Sequence, residues 1–437
     1  MGFCSKMYTV CFVYLLVSMK RIAIVGWWAA WMMAAATICE HAPMWSYELH
    51  IFEKNSLLWN KVLISGGGRC NVTTWYQKKK DFLGKYIRGS DFLKDALAAF
   101  GPRKVYNRFE SHGVPLKIEK DMRVFPVSND GKDVVWAFEN IFSQYAVHVH
   151  FKEGVKKLEY RSESLDYSLV TDRDAYIFDI VVLTTWGNAY AHTGSAWEWY
   201  DLARSVWHSI TRLGPSLNSF QTPHAWMHEL TGLSFPRARL QATFAHGNKE
   251  SVDGPVLLTH FGISWPNVFA LSALIAFEKV SQDSPVDIVL IPEADIWYDQ
   301  WIQRLNDSVT VSPKKEIRTI IKQRFPERLA IAILDQCNIA CDTWMVSMTK
   351  DMKKMLAEYL SGGWKITLTM RKPGDEFVTA GGVSLDEVDA ETMESKICPW
   401  LYFAGEILDV DGVTWWFNLQ ACWSAGYVVG KSVSTTL

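Results

Sequence analysis

The chain has 437 residues, of which 49% are hydrophobic and 21% charged, and its formal net charge is −2. This length allows two or three domains with their own cores and excludes a small disulfide-stapled scaffold. The balanced charge also lacks the basic excess of proteins that mainly grip nucleic acid or an anionic membrane. We therefore expect a small-molecule substrate and no nucleic-acid partner, and the composition leaves the oligomeric state open.

The amino terminus raises the question of targeting. An apolar stretch at residues 7–17 is too short to span a bilayer and runs directly into a strand pattern. We therefore assign residues 1–18 to a leader or extension and predict no membrane span. Eight scattered cysteines without zinc-ligand spacing favour reduced thiols, and hence a cytoplasmic protein.

The next elements have the order of a dinucleotide-binding half-domain. Residues 21–25 predict a strand that ends in Gly26, residues 29–39 a helix, and residues 48–52 a second strand closed by Glu53. In such a unit the acid after the second strand accepts hydrogen bonds from a ribose. The glycine fingerprint itself fails, because Trp28 and Trp31 stand where its second and third glycines belong.

The rest of the chain divides into three stretches. Up to residue 197 we predict alternating short strands and helices, including a hairpin of residues 167–170 and 177–183. Residues 198–363, punctuated by prolines, predict an inserted domain of short strands and helices. Residues 364–437 return to glycine turns, with strands at 365–370 and 401–404 and a final helix from about Asn418.

Several longer motifs follow one another along the chain. They are KVLISGGGRCN at 61–71, RVFP at 123–126, THFGIS at 259–264, TAGGV at 379–383, LYFAGE at 401–406, DVDG at 409–412 and NLQ at 418–420. In this order they resemble the BaiN-type bacterial NAD(P)/FAD-dependent oxidoreductases, and the resemblance covers the chain from about residue 19 to its end.

The resemblance implies an α/β fold in which both chain ends, residues 19–197 and 364–437, build an FAD-type Rossmann domain. A β-barrel-like and helical domain is inserted between them. It implies FAD as cofactor, NAD(P)H as a possible reductant, and hydride transfer to an unidentified organic acceptor. It leaves the catalytic residues unknown. The cofactor-binding positions that it implies are Gly26, Glu53, Lys54, Arg69, Cys70, Asn71, Val155, Gly187, Gly405, Glu406, Asn418 and Leu419.

Specific contacts follow from the same resemblance. Glu53 would hold the adenosine ribose, and Val155 would contact the adenine through its main chain. Asn418 and Leu419 would present backbone amides to the flavin from a helix start, where unpaired N–H groups and the helix dipole stabilise negative charge.

The chain departs from the family pattern in one systematic way, because tryptophan stands where the pattern has glycine. A bulky residue at a positive-φ glycine position is strained by about 1 to 3 kcal/mol. The alternative hypothesis is therefore a cofactor-free, inactive form of the scaffold, with Trp28, Trp31, Trp186, Trp415 and Trp416 in cofactor-facing positions. The tryptophans that stand at glycine positions of the family pattern are Trp27, Trp28, Trp31, Trp59, Trp186, Trp197, Trp199, Trp207, Trp265, Trp400, Trp415 and Trp416.

The remaining candidates favour structural roles. Cys70 is either a redox thiol or, more often at such a position, a small packing residue. Asp409 and Asp411 suit loop chemistry better than cation binding. An aromatic module that stacks sugars or single-stranded nucleic acid is a more distant possibility. No metal site is predicted, because no ligand spacing joins His192, His224, His228 and His260.

Overall fold

A computed structural model describes residues 19–26, 29–56, 65–76, 78–185, 187, 198–243, 249–374 and 376–437. Outside these residues lie the predicted leader, His192, and five of the tryptophans at family glycine positions, namely Trp27, Trp28, Trp59, Trp186 and Trp197.

The helices are distributed along both predicted domains. They are α1 (Ala29–His41), α2 (Lys79–Leu83), α3 (Lys94–Ala99), α4 (Pro102–Ser111), α5 (Lys132–Phe142), α6 (Glu198–Ser205), α7 (Ala225–Glu229), α8 (Pro266–Leu274), α9 (Tyr298–Val311), α10 (Ile317–Ile321), α11 (Glu327–Gln336), α12 (Lys350–Gly362) and α13 (Trp415–Thr436).

The strands are mostly short. They are β1 (Lys20–Gly26), β2 (Tyr47–Glu53), β3 (Thr73–Thr74), β4 (Tyr86–Arg88), β5 (Leu116–Ile118), β6 (Arg123–Pro126), β7 (Val147–Phe151), β8 (Val155–Arg161), β9 (Asp166–Thr171), β10 (Ala175–Phe178), β11 (Ile180–Thr184), β12 (Gly214–Ser216), β13 (Phe220–Gln221), β14 (Ser234–Thr243), β15 (Lys249–Leu258), β16 (Gly262–Ser264), β17 (Val286–Ile291), β18 (Trp364–Leu368), β19 (Met370–Arg371), β20 (Val378–Ala380), β21 (Leu401–Phe403) and β22 (Asp411–Gly412).

A five-stranded parallel sheet of order β21-β11-β1-β2-β7 forms the centre of the first domain. Ile22, Ala23 and Ile24 of β1 are fully buried, as expected for a strand covered on both faces. β21 comes from the far end of the chain and pairs with β11. The predicted α/β fold, with a Rossmann domain built from both chain ends, is therefore confirmed.

Helices α1 and α13 pack closely in this domain. A Cβ at Gly426 would overlap the backbone of Ala30, and a Cβ at Gly430 would lie 2.5 Å from Thr37 Cβ. Only glycine at these two positions allows the helices to approach so closely.

The structure corrects the prediction for Trp31. Its side chain is fully buried and stacks on Phe142 of α5, with ring centroids 5.6 Å apart. The indole is accommodated between α1 and α5, so it is a core residue and does not occupy a cofactor-facing position. Aromatic stacking of this kind adds to the stabilisation from burial alone.

The inserted domain has its own core and a seven-stranded sheet of order β18-β17-β14-β15-β16-β13-β19. The two outermost strands, β18 and β19, are joined by Thr369 alone, so the sheet curls toward closure as a barrel does. His224 Nε2 accepts a hydrogen bond of 3.0 Å from the Thr367 amide across this region, which is a structural role.

Two elements near the predicted domain boundaries pack across them. β18 pairs with β17 in the sheet of the insert, although residues 364–437 were predicted to belong to the Rossmann domain. At the other boundary, Tyr200 and Ala203 of α6 are buried in the core of the first domain, although the insert was predicted to begin at residue 198. The boundary depends on long-range packing, which the local sequence pattern does not report.

The predicted strand at residues 177–183 is also wrong in one respect. It divides at Asp179 into β10, which pairs with β9, and β11, which joins the parallel sheet. Asp179 Oδ2 accepts a hydrogen bond of 2.8 Å from the Arg21 amide, and this contact accompanies the change of sheet.

Candidate functional site

The carboxyl ends of β1, β2, β11 and β21 lie along one edge of the parallel sheet. In open α/β sheets, ligands bind outside this edge. β1 ends at Gly26, which has φ +130° and lies so close to β11 that a Cβ would be 2.6 Å from the Thr184 carbonyl carbon. This turn therefore requires glycine, in agreement with the first position of the predicted fingerprint.

Glu53 ends β2 at the same edge, and its side chain is 2% exposed. Its Oε1 accepts hydrogen bonds from the amide of Asn55 (2.6 Å) and from Asn55 Nδ2 (2.9 Å). Its Oε2 is buried and has no hydrogen-bond partner among the residues that the structure describes. Burial raises the pKa of Glu53 to about 8. A buried acceptor without a partner costs free energy, which a ligand hydroxyl would recover.

Two other predicted residues lie beside Glu53. The Lys54 ammonium lies 5.9 Å from the ring centroid of Trp199, and a Cβ at Gly154 would contact the Lys54 side chain. Val155 follows directly, at the start of β8, and is 6% exposed. The structure thus brings Glu53, Lys54 and Val155 together.

The glycine loop forms a second group. Gly66, Gly67 and Gly68 have φ of +58°, +71° and +91°, and Cys70 also has a positive φ of +53°. Such a run of left-handed residues explains why glycines are needed here. Cys70 is fully buried, in agreement with the packing role rather than an exposed redox thiol.

The polar side chains of this loop point in different directions. Arg69 binds Glu119 Oε1 at 2.7 Å, and its guanidinium carbon lies 3.9 Å from the ring centroid of Phe125. Asn71 is 2% exposed, and its Oδ1 accepts a hydrogen bond from the Val124 amide at 3.3 Å. Within the described part of the chain, Asn71 Nδ2 has no hydrogen-bond partner.

A third group lies around Thr379 of β20. Glu406 Oε1 accepts a hydrogen bond of 2.8 Å from the Thr379 amide. A Cβ at Gly187 would overlap Thr379, and Gly405, with φ +86°, lies against Ala30 at the start of α1. Gly187, Gly405 and Glu406 are therefore close neighbours, although 218 positions separate the first from the second in sequence.

The final helix begins earlier than predicted, at Trp415. The Asn418 amide already donates to the Thr414 carbonyl at 3.5 Å, and Leu419 lies fully buried inside the helix. The prediction that Asn418 and Leu419 present their amides at the helix start is therefore wrong. The side chain of Asn418 instead binds the turn before the helix, through hydrogen bonds to Gly412 and Thr414.

A cavity of about 1100 Å³ lies between the two domains. Its walls include the glycine loop, the first turn of α13, β15 and α8. Trp415 and Trp416 are partly buried and line it, and the Trp415 ring lies 5.9 Å from that of Phe377. The volume is sufficient for a ligand of drug size or larger.

Sequence reasoning missed a buried ion pair near this cavity. Arg88 binds both carboxylate oxygens of Asp411, which is completely buried. Asp411 also accepts a hydrogen bond of 2.9 Å from Ser216 Oγ, and Arg88 donates to the Ala273 carbonyl of α8 at 3.1 Å. The pair joins the carboxyl-terminal segment to both domains. No local signal could reveal it, because its partners are 323 positions apart.

The parallel sheet and the glycine-dependent turn at the end of β1 define a domain of the Rossmann type. The model of the HI0933-like protein Rossmann domain matches residues 20–432, and the chain belongs to this family. This confirms the family resemblance found in the sequence motifs.

Some relatives and solved structures align with nearly the whole chain. The 3-dehydro-bile acid Δ(4,6)-reductase of Clostridium scindens is 26% identical over 95% of this chain and 99% of its own length. The ribosomal RNA dihydrouridine synthase of Haemophilus influenzae is 24% identical over 94% of this chain and 98% of its own. The 3-ketosteroid-Δ4-(5α)-dehydrogenase of Rhodococcus jostii RHA1, solved with 4-androstene-3,17-dione, aligns over 95% of this chain and 97% of its own, with 11% identity and a TM-score of 0.48.

Within the described ranges, no helix is long and apolar enough to cross a membrane.

Proposed function

We propose that this chain is a flavin-dependent reductase, which moves hydride from NAD(P)H through bound FAD to an organic acceptor in the interdomain cavity. The observation that carries the proposal is Glu53, a buried acid with an unused oxygen at the carboxyl end of the second parallel strand. A ribose hydroxyl is the ligand group that this position takes in dinucleotide-binding folds. The names of two full-length relatives, a reductase and a dihydrouridine synthase, both describe reduction of carbon–carbon double bonds.

The residues present fit FAD where they are described. We expect Glu53 Oε2 to accept a hydrogen bond from the adenosine ribose, and the main chain at Val155 to contact the adenine. We expect Gly405 and Glu406 to lie along the middle of the cofactor, next to the first turn of α1. FAD, when bound, supplies hydride acceptance and donation, while the protein binds and orients it.

The first turn of α13 borders the cavity and points a positive helix end toward it. This end would stabilise negative charge on a reduced cofactor there. Aromatic side chains form part of the cavity wall, namely those of Trp415, Phe377 and Phe269. They would exclude water and favour an apolar acceptor.

The alternative is the cofactor-free form of the scaffold. Trp415 and Trp416 support it, because their side chains border the cavity that the flavin ring and acceptor would share. The backbone gives independent support to the cofactor-free form. The φ angles of Trp207, Trp265 and Trp400 are +66°, +91° and +65°, in a region that favours glycine.

An absorption experiment separates the two hypotheses. The full chain is incubated with FAD and desalted, beside the double variant Trp415→Gly/Trp416→Gly and the control Trp45→Gly, an indole that is 65% exposed in a surface turn. The reductase proposal expects retained flavin absorption that NADH or NADPH bleaches without oxygen, with at least as much flavin in the double variant. Folded protein that retains no flavin in any of the three would refute it in favour of the cofactor-free form.

A further inference from the structure

A cluster of imidazoles and carboxylates lies on one face of the parallel sheet, apart from the residues proposed to bind FAD. His50 of β2 and His148 of β7 are register partners on adjacent strands, and Glu48 precedes His50 by two positions on the same face. Glu48 Oε1 lies 3.0 Å from His50 Nε2 and 3.8 Å from His148 Nε2. One ligand atom from each residue lies within 4.8 Å of the other two.

These separations suit a small divalent metal ion. Zn²⁺ binds imidazole nitrogens and carboxylate oxygens at about 2.0 to 2.2 Å in tetrahedral geometry, which places neighbouring ligand atoms roughly 3.3 Å apart. The two shorter distances in the cluster lie on either side of that value. Two imidazoles and one carboxylate also form a ligand set that zinc uses where a fourth position stays open.

Hydrogen bonds behind the cluster fix the tautomer of His50. Glu153 Oε2 lies 3.3 Å from His150 Nδ1, and His150 Nε2 lies 2.9 Å from His50 Nδ1. A carboxylate can only accept, so His150 donates to Glu153 and accepts the proton of His50 Nδ1. This leaves the lone pair of His50 Nε2 directed at Glu48. Such a carboxylate–histidine arrangement is the usual outer shell of a metal-binding imidazole.

His50 Nε2 is an unsatisfied group in the described structure. His50 as a whole residue is 6% exposed. Its Nε2 has no hydrogen-bond partner among the described residues, although Glu48 Oε1 is 3.0 Å away. Two acceptors this close need a cation between them.

Two arginines border the cluster, and its His148 side is open to solvent. Arg21 binds the other oxygen of Glu48 at 3.2 Å, and Arg173 lies 3.9 Å from Glu153 on the far side of His150. His148 is 53% exposed in its side chain, which gives an ion a path from solvent.

We propose that Glu48 Oε1, His50 Nε2 and His148 Nε2 bind Zn²⁺ or a similar divalent transition-metal ion, with a fourth position open to water on the His148 side. The ion ties β7, the edge strand of the parallel sheet, to β2. This set is distinct from the four histidines considered in the sequence, because its ligands come from two strands about a hundred positions apart.

The test is Zn²⁺ binding to the full chain by calorimetry at pH 7.5, after treatment with a chelator. Co²⁺ absorption reports the geometry, since four-coordinate Co²⁺ has intense visible bands. The variants are Glu48→Gln and His148→Ala, with His260→Ala as a control in the insert. Circular dichroism confirms that each variant folds, and the exposure of His148 makes its truncation mild.

We expect one Zn²⁺ per chain, with affinity reduced by more than about 100-fold in Glu48→Gln and His148→Ala and unchanged in His260→Ala. His150→Ala, which removes only the outer contact, should lose about 10- to 100-fold. Binding should also weaken in acidic solution, because protons compete with the ion for the imidazole nitrogens. Absence of Zn²⁺ binding at micromolar concentration, or equal binding by wild type and both ligand variants, would overturn the proposal.

Discussion

Trp207 tests whether the positive-φ tryptophans of this chain strain its backbone. Helix α6 ends in a Schellman motif, in which the His208 amide donates to Ala203 O at 3.1 Å and the Trp207 amide to Arg204 O at 3.0 Å. Trp207 occupies the left-handed position of this motif, with φ +66°, where glycine is preferred. Its side chain is 62% exposed, so it gains little from burial in return.

The magnitude follows from comparing glycine with alanine at this position. A residue with a Cβ loses about 1 to 2 kcal/mol in the left-handed conformation, and glycine loses almost none. Both variants remove the same indole contacts, so these cancel in the comparison. We therefore expect Trp207→Gly to be more stable than Trp207→Ala by about 1 kcal/mol.

Trp136 provides a matched control, at which alanine should be the more stable substitution and glycine the less stable one. It is 50% exposed and lies within α5, where alanine is favoured over glycine by about 1 kcal/mol. The glycine and alanine variants at each position are unfolded in urea. Their stabilities are compared through the unfolding midpoints, with one slope of free energy against urea concentration for all four. If glycine is the less stable residue at both positions, Trp207 is unstrained and the argument from backbone strain fails.

Three further predictions concern buried groups. Burial raises the pKa of Glu53 from 4.5 to about 8, so the folded protein binds the Glu53 proton more tightly than the unfolded chain. The resulting contribution to the free energy of unfolding is complete below about pH 4.5 and is lost as the pH rises through 8. The total loss is at most about 5 kcal/mol. The urea midpoints of the wild type and of Glu53→Gln, both measured without cofactor, should therefore converge or cross between pH 4.5 and 8. A difference between the two midpoints that does not change with pH would contradict the argument from burial. Arg88→Met should destabilise the chain by about 3 to 5 kcal/mol by leaving Asp411 buried without its partner, and Arg88→Met/Asp411→Asn should recover part of this loss in thermal unfolding. Gly426→Leu should separate α1 from α13 and lower the melting temperature far more than Gly362→Leu in α12. A Cβ at Gly362 meets no atom within 4 Å, and both changes introduce the same side chain into a helix.

Local sequence patterns determined the start of the Rossmann domain. The apolar run of β1, the alanine-rich helix and the second strand with its terminal acid could all be predicted, because each depends on hydrophobicity within about 10 residues. Glu53 was found in the same way, since its position at a strand end is a local property. The motif resemblance added the family and the joining of the two chain ends.

Tertiary structure decided which sheet each strand joined. The sequence pattern predicts one strand over residues 177–183. In the structure, Asp179 accepts a hydrogen bond from the Arg21 amide, and the segments on either side of Asp179 join different sheets. Residues 364–368 form the predicted strand, but pairing with β17 places them in the insert. Strand pairing depends on partners far away in sequence, and periodicity carries no information about them.

The same reason separates the predicted site from the contacts that the structure added. The sequence predicted a set of residues near a nucleotide. It could not place Trp31 in the core, pair Arg88 with Asp411, or bring His148 to Glu48 and His50. Each of these contacts joins residues about 100 or more positions apart, where only the packing of the whole fold fixes the distance between them.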